Sequence, residues 1–344
     1  MPTRTRLGFI DALRGIAAIY VVIFHIVKAP VFHLTLPSWL RPFIFNGSSG
    51  VALFFILSGF TLCYTYHPVM STPGSLKKFY IRRFFRIAPL YYVILIFMTV
   101  LILLTLPSYL SGTSLFLNAT FTFNLVPGYQ AGIVPASWTI GIEMLFYLLF
   151  PVIFTRFCSL KKSVILLIFS STITAVLYYF EDLFPAHYIF YLFLTNLPLF
   201  IAGFVCYFLL LEKFSIPAWV VIGIMLLVML VPYIIRNPSF FVMAPFYALL
   251  ILALGKNPLK IIVNKTTVFY GMLSYSVYLL HPKIVSAFGQ VYKFFSSLGY
   301  DQGITYLFCI IFTLLPLTLL AYLTYRFIEK PGIRFSQGIS KNMQ

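Results

Sequence analysis

The chain of 344 residues is poor in charge: 9% of its residues are Asp, Glu, Lys or Arg, and 61% are hydrophobic. A soluble domain carries about 25% charged residues, and a disordered chain has far fewer apolar residues than this one. Both classes are therefore excluded. The mean hydropathy of +0.98 is typical of a protein that lies mostly inside a lipid bilayer.

Acidic residues are scarcer still, since 7 Asp and Glu stand against 24 Lys and Arg, for a net charge of +17. In a soluble domain such a basic balance would indicate nucleic-acid binding. In a chain this apolar it indicates a polytopic membrane protein with basic cytoplasmic loops. We therefore expect the lipid bilayer as a partner and no nucleic acid.

The four cysteines stand alone in or beside apolar stretches, with no CxxC and no Cys/His spacing typical of metal ligands. This pattern predicts neither a disulfide framework nor a metal site.

Long apolar stretches recur about ten times, which predicts an all-α polytopic membrane protein built as a bundle of about ten transmembrane helices. The first stretch follows Arg4 and Arg6; it is too long for the apolar region of a signal peptide and contains no small-residue cleavage site. We therefore expect it to be retained. The approximate spans are residues 9–30, 50–66, 89–107, 137–155, 163–180, 188–210, 217–235, 239–254, 267–290 and 303–326.

The distribution of cations predicts the topology. With the N-terminus in the cytoplasm and the spans alternating, 18 of the 24 Lys and Arg residues fall on the inner side and three in outer loops. Cytoplasmic loops concentrate these residues, so we expect a multi-pass protein of the inner (cytoplasmic) membrane with both termini cytoplasmic. No hydrophilic stretch is long enough for a second domain, so residues 1–344 are predicted to form one membrane domain without a soluble appendage.

The first span contains three ionisable residues, Asp11, Arg14 and His25. Each costs about 2.5 to 3.5 kcal/mol at mid-membrane, so each is a candidate functional residue. Arg14 and His25 are about three helical turns and roughly 16 Å apart, and Asp11 shares their face. This stripe suits a long ligand with an anionic head at the cytoplasmic mouth and a reactive end near His25, well inside the bilayer. Alternatively, Asp11 pairs with Arg14 at the interface and His25 bonds a neighbouring carbonyl.

A cluster of arginines precedes the third span, in the segment KKFYIRRFFRIAPLYY. Arg83 and Arg86 are spaced i, i+3 on a predicted helix that enters the membrane, with Arg82 beside them. The guanidinium group matches phosphate in charge and geometry, so the cluster is a candidate phosphate site. Positive-inside anchoring is the alternative, and it accounts less well for Arg86, which an apolar helix follows at once.

Two further ionisable groups lie within predicted spans. Glu143 in the fourth span should have a partner, either His25, which it would orient and make more basic, or an inner arginine; a structural ion pair is the alternative. His281 in the ninth span precedes Pro282, which should kink the helix and free a carbonyl. His281 is interpreted equally as a second polar wall of the cavity or as a hydrogen-bonded residue between packed helices.

Taken together, these segments resemble the membrane-bound acyltransferase-3 family, integral membrane enzymes that O-acylate surface glycans and related molecules. The resemblance covers nearly the whole chain in the expected order. The combination of Arg14 and His25 (Arg-x10-His) with Arg83 and Arg86 (Arg-x-x-Arg) is typical of this family. The matching segments are residues 9–25, 48–60, 79–92, 137–151, 273–281 and 325–331.

The resemblance implies a core of ten helices, here about residues 7–332, that takes an acyl group, usually acetyl, from cytoplasmic acyl-CoA to a hydroxyl, often on a sugar. Carried over by position, Arg14 and His25 are the essential pair, Arg83 and Arg86 the CoA-side arginines, and Glu143 an active-site acid. Acyl-CoA is then a donor substrate, and no permanently bound cofactor is expected.

The resemblance also bears on partners. Many relatives carry an extracytoplasmic hydrolase-like domain after the core, and this sequence ends without one. We therefore expect the membrane domain itself, or a separate partner such as a glycan-assembly protein, to complete the transfer. The acceptor is left open among lipopolysaccharide, another surface polysaccharide or glycolipid, peptidoglycan and a small molecule.

Residues and resemblance agree on one hypothesis. The CoA head binds Arg14, Arg83 and Arg86, and His25 takes the proton from the acceptor hydroxyl as it attacks the thioester. Candidate oxyanion donors are Trp138, Ser58 and tyrosines.

Other readings stay open. Ser58 or His25 could carry a covalent acyl group, although a serine such as Ser58 more often serves helix packing. A transporter or flippase for acyl groups or lipid-linked sugars is the competing class, although the inverted repeats typical of such folds are not evident. A non-catalytic membrane partner of another enzyme is disfavoured, because it leaves Arg14 and His25 without a role.

Overall fold

The structure is a computed structural model that describes residues 7–29, 36–70, 72–235 and 239–341. None of the described residues lies in a β-strand, so the predicted all-α fold class is confirmed. Arg4, Arg6 and the end of the first predicted span at residue 30 lie outside the described residues. The described helices are α1 (Gly8–Val27), α2 (Arg41–Phe45), α3 (Gly50–Tyr66), α4 (Ser75–Thr105), α5 (Gly112–Ala119), α6 (Trp138–Arg156), α7 (Leu160–Tyr179), α8 (Tyr188–Tyr191), α9 (Phe193–Leu211), α10 (Ala218–Ile234), α11 (Phe240–Lys256), α12 (Lys265–Ala287), α13 (Gly289–Ser297), α14 (Gln302–Thr324) and α15 (Lys330–Lys341).

Seven helical segments of the described chain are long and apolar enough to cross a membrane. The other three predicted spans coincide with α10 and α11, which are apolar but only 17 residues long, and with α12, which is 23 residues long but more polar. The multi-pass architecture is therefore present, while the count of about ten and the orientation of the termini stay predictions. The seven segments are Gly8–Val27, Arg41–Tyr66, Ser75–Thr105, Trp138–Arg156, Leu160–Tyr179, Phe193–Leu211 and Gln302–Lys341.

The chain forms two compact units, and the first comprises Met1–Phe60 and Cys206–Tyr322. Its centre is the contact of α1 with α12, where glycines allow the backbones to meet. A methyl group added to Gly271 would overlap the Asp11 carbonyl, and one added to Gly15 would overlap the Thr267 carbonyl. Close backbone approach at small residues is a common way to pack membrane helices.

The two helices run in the same direction. Gly8 lies beside Val263 near the start of both, and His25 lies beside His281 towards their ends. The predicted topology requires this parallel arrangement, because the first and ninth spans both run from inside to outside. The shared direction also explains how residues 256 positions apart in sequence come to face each other.

The opposite side of α1 is covered by the short 3₁₀ turn Asn46–Ser49 and the start of α3. Added methyl groups at Gly47 and Gly50 would lie 2.5 and 2.8 Å from main-chain carbonyls of α1. Near the end of α1, the Tyr306 hydroxyl of α14 donates to the Ile23 carbonyl at 2.6 Å. The first helix is therefore held on several sides.

The second unit comprises Thr61–Val205 and Leu323–Gln344. Its long helix α4 has 31 residues and begins at Ser75, whereas the third predicted span begins at residue 89. The basic segment before that span is thus helical, because Lys and Arg favour helix and some of its apolar side chains, such as Phe79 and Ile87, are buried. The predicted helical spacing of Arg83 and Arg86 is confirmed.

The C-terminal helix α15 packs along α4. Pro89 of α4 cannot donate to the Phe85 carbonyl, and Gly332 lies against this point, where an added methyl would be 2.9 Å from the carbonyl oxygen. The rings of Phe85 and Phe335 are 5.1 Å apart. Between α14 and α15 the chain makes a π-helical turn, Tyr325–Glu329, a feature often found at functional sites.

Candidate active site

His25 lies in the last turn of α1, two residues before the helix ends, and is half-buried. Its Nδ1 is 2.8 Å from the main-chain carbonyl of Val21. A carbonyl oxygen only accepts, so Nδ1 carries the hydrogen and Nε2 of the neutral ring keeps its lone pair. The sequence suggested such a bond to a neighbouring carbonyl as the alternative to a catalytic role, and the structure contains it. The bond also fixes the tautomer in which Nε2 is an acceptor.

His281 of α12 is fully buried, and its ring makes an angle of 62° with that of His25, with the centroids 4.7 Å apart. Its Nδ1 is 2.5 Å from the Tyr278 carbonyl. Pro282 has no N–H for this carbonyl, which lies four residues before it, so the imidazole takes the place of the missing donor. Nε2 of His281 has no hydrogen-bond partner within the described part of the chain.

The rest of the polar stripe on α1 is also turned inward. Asp11 is 6% exposed and Arg14 is half-buried, and both interact with other groups of the protein. Ser58 of α3 is likewise buried. The structure therefore brings His25 and His281 together in the first unit.

Arg83 of α4 lies between two tyrosines of the second unit. Its guanidinium carbon is 5.3 Å from the centre of the Tyr66 ring and 5.6 Å from that of the Tyr147 ring, which is cation–π range. The Nε atom is buried and lacks a hydrogen-bond partner within the described residues. An arginine that served only as an interfacial anchor would extend to water, so this placement favours a site for an anion.

Glu143 accepts a hydrogen bond from the Tyr147 hydroxyl, one helical turn along α6. Arg83 and Arg86 both lie within electrostatic range of that hydroxyl. The sequence offered His25 or an inner arginine as the partner of Glu143. In the structure Tyr147 links Glu143 to Arg83. Glu143, Tyr147 and Arg83 form a continuous chain of contacts.

Two other predicted residues have structural neighbours of their own. Arg82 donates from Nε to the Ser340 hydroxyl at 3.3 Å, which ties α4 to α15. Trp138, in the first turn of α6, packs against the rings of Phe190 and Tyr191 at 5.0 and 5.3 Å. Their predicted roles at the site stay predictions.

Three residues of interest were missed by reasoning from sequence. Tyr147 could have been found from its i, i+4 spacing to Glu143, whereas no local signal marks Tyr66. Glu329, in the π-helical turn, is 4% exposed and interacts with other groups. The scarcity of acids was the signal that could have singled it out.

The sequence model of a family described as "Acyltransferase domain" (Acyl_transf_3) matches residues 7–324. Acyltransferase MdmB of Streptomyces mycarofaciens is 32% identical over 159 residues, which cover 44% of this chain and 40% of the relative. Peptidoglycan O-acetyltransferase OatA of Listeria monocytogenes is 29% identical over 168 residues, which cover 45% of this chain and 25% of the relative. No solved structure matches significantly. The family match extends over most of the chain and confirms the resemblance seen in the sequence, so this multi-pass membrane protein belongs to the acyltransferase-3 family.

Proposed function

We propose that the protein is an integral membrane O-acyltransferase of the inner (cytoplasmic) membrane, with both termini cytoplasmic. It moves an acyl group, acetyl in the simplest case, from cytoplasmic acyl-CoA to a hydroxyl of a carbohydrate acceptor, either a surface polysaccharide or a glycolipid. The observation that carries the proposal is His25, whose Nδ1–H is held by the Val21 carbonyl so that Nε2 is left to accept a proton.

In this mechanism His25 is the general base. Its Nε2 takes the proton of the acceptor hydroxyl as the oxygen forms a bond to the thioester carbon, and the proton later leaves with the thiolate of CoA. Such proton transfer accelerates reactions by about 10² to 10⁴-fold. Ser58 and Trp138 are proposed to support the oxyanion.

Arg83 and Arg86 hold the phosphates of CoA. The guanidinium of Arg83 is packed against aromatic rings, and its buried Nε has no partner among the described residues. A bound phosphate would supply that partner. Arg14, on the same face of α1 as His25, is assigned to the anionic part of the ligand as well. Arg82 should contribute less, because Ser340 already engages its Nε.

Glu143 contributes to acyl-CoA binding through its link to the arginine cluster. By accepting from Tyr147 it holds the tyrosine ring against Arg83, and its charge offsets the cluster of guanidinium groups. We therefore assign Glu143 to positioning Arg83 through Tyr147.

The names of the relatives support acyl transfer to a hydroxyl. OatA is a peptidoglycan O-acetyltransferase and MdmB an acyltransferase, and both match less than half of this chain. The chain spans less than half the length of either relative. We extend from them only the reaction class, and propose glycan-assembly proteins as partners that supply the acceptor.

The test uses the purified protein in lipid vesicles with acetyl-CoA labelled in the acetyl group and with candidate glycans added one at a time. The proposal predicts label covalently attached to a glycan, dependent on the protein. Movement of unmodified glycan across the vesicle wall without acylation would instead identify a transporter and overturn the proposal.

A further inference from the structure

The contact of His25 with His281 has a chemical role if both imidazoles hold the same tautomer. We propose that His281 is a positioning residue for His25: its Nε2 accepts a hydrogen bond from Nε2–H of His25 once His25 has taken the hydroxyl proton. The inference rests on the proposed function, and in particular on His25 as the base.

The tautomer of His281 follows from its helix. Pro282 leaves the Tyr278 carbonyl without its usual main-chain donor, and Nδ1 of His281 lies 2.5 Å from that oxygen. Because the carbonyl only accepts, Nδ1 carries the hydrogen and Nε2 is an acceptor. The same reasoning applies to His25 and the Val21 carbonyl.

Two acceptors cannot bond to each other, so in these tautomers the two rings, with centroids 4.7 Å apart, form no hydrogen bond through their Nε2 atoms. Nε2 of His281 has no other partner among the described residues. A buried acceptor without a partner costs stability, so its presence calls for an explanation such as a role in catalysis. Protonation of His25 turns its Nε2 into a donor, and the missing partner then exists. The bond forms only in the charged state, so it lowers the energy of the state that follows proton transfer and not that of the resting enzyme.

The acceptor hydroxyl loses its proton to Nε2 of His25 while its oxygen bonds to the thioester carbon. Nε2–H of the imidazolium is held by the lone pair of His281 until the carbon–sulfur bond breaks and the thiolate takes the proton. Both imidazoles end neutral, and His281 is unchanged.

If His281 served only helix packing, its ring and the bond to Tyr278 would suffice, and a group at the Nε2 position would not be needed. Variants that change this position alone therefore distinguish packing from positioning of His25. His281→Asn keeps an amide N–H where Nδ1 lies and lacks any group at Nε2. His281→Gln reaches the Nε2 position with an amide oxygen that can accept. His281→Leu removes both.

We expect His281→Asn to lower kcat for acyl transfer by about 100-fold with unchanged KM for acetyl-CoA and glycan and an unchanged melting temperature. His281→Gln should recover part of the lost rate, and His281→Leu should not. Wild-type kcat in His281→Asn, or a Gln variant no better than Leu, would overturn the inference.

The double variant with His25→Ala distinguishes failure of this inference from failure of the proposed function. If His281 acts through His25, adding His281→Asn to His25→Ala causes no further loss; multiplying losses would show an independent role and refute the pairing. If His25→Ala itself transfers at the wild-type rate, the proposed base is wrong. If His25→Ala is inactive while His281→Asn is normal, only the inference about His281 falls.

Discussion

The guanidinium carbon of Arg83 lies 5.6 Å from the centre of the Tyr147 ring, and the hydroxyl of the same ring donates to Glu143. One tyrosine thus does two separable things: its face holds the cation and its hydroxyl binds the carboxylate. Arg83 is therefore positioned by a residue of a different helix.

Variants of Tyr147 should separate these contacts. Tyr147→Leu removes the ring and should weaken acetyl-CoA binding by about 2- to 30-fold, the equivalent of a cation–π contact of about 0.5 to 2 kcal/mol. Tyr147→Phe keeps the ring but loses the hydroxyl that Glu143 accepts from, so it should weaken acetyl-CoA binding less than Tyr147→Leu does. Calorimetric titration with acetyl-CoA measures the first effect. Equal affinities in the Leu and Phe variants would contradict the role of the ring.

Neighbouring arginines of α4 provide a matched pair. Arg83→Ala should raise the Kd for acetyl-CoA by about 10- to 100-fold, because a hydrogen bond to a charged group is worth about 1.5 to 3 kcal/mol. Arg82→Ala removes an equal charge from the adjacent position but breaks only the contact with Ser340, so its effect on Kd should be much smaller. Similar effects in both variants would indicate general charge attraction without a specific site.

Pro282→Ala tests the origin of the His281 tautomer. The new N–H can donate to the Tyr278 carbonyl and so competes with Nδ1 of His281. We expect a lower kcat with a melting temperature equal to or above that of the wild type, since alanine favours helix. Kinetics and thermal unfolding in the same detergent check this. A variant with wild-type kcat would show that the freed carbonyl does not matter to catalysis.

The close contact of α1 and α12 makes a prediction about stability. A side chain at Gly271 would overlap the Asp11 main chain, so Gly271→Ala should destabilise the fold by about 1 to 3 kcal/mol. Gly223 of α10 has open space around it, so Gly223→Ala should be neutral or stabilising by up to about 1 kcal/mol. Thermal unfolding of the two variants measures the difference. Equal losses would mean that the overlap at residue 271 is relieved without cost.

The lengths of the apolar stretches were enough to predict the positions of most long helices. Apolar length placed ten stretches on helices, and the fourth predicted span, residues 137–155, is within one residue of α6 at both ends. The third predicted span begins at residue 89 because apolar length marks only the part of a helix that crosses the bilayer. The helical spacing of the arginines before it was predicted, but the start of α4 at Ser75 was not, and Phe79 in this basic segment is buried.

Contacts between helices that are far apart in sequence could not be predicted from the sequence. The face shared by Asp11, Arg14 and His25 follows from helical periodicity, but nothing in one sequence says that His281, far along the chain, lies beside His25. The same holds for Tyr66 beneath Arg83. The freed carbonyl before Pro282 was predicted from sequence, and its actual partner, the His281 ring, required coordinates.

Removal of the acceptor hydroxyl proton by His25 is tested most directly by the single-turnover rate of acyl transfer by His25→Ala at saturating acetyl-CoA. His187→Asn is the matched control, because His187 is exposed and has a φ of 62° that asparagine tolerates. We predict that His25→Ala binds acetyl-CoA normally and transfers at least about 100-fold more slowly, while His187→Asn matches the wild type. Transfer by His25→Ala at the wild-type rate would contradict this prediction.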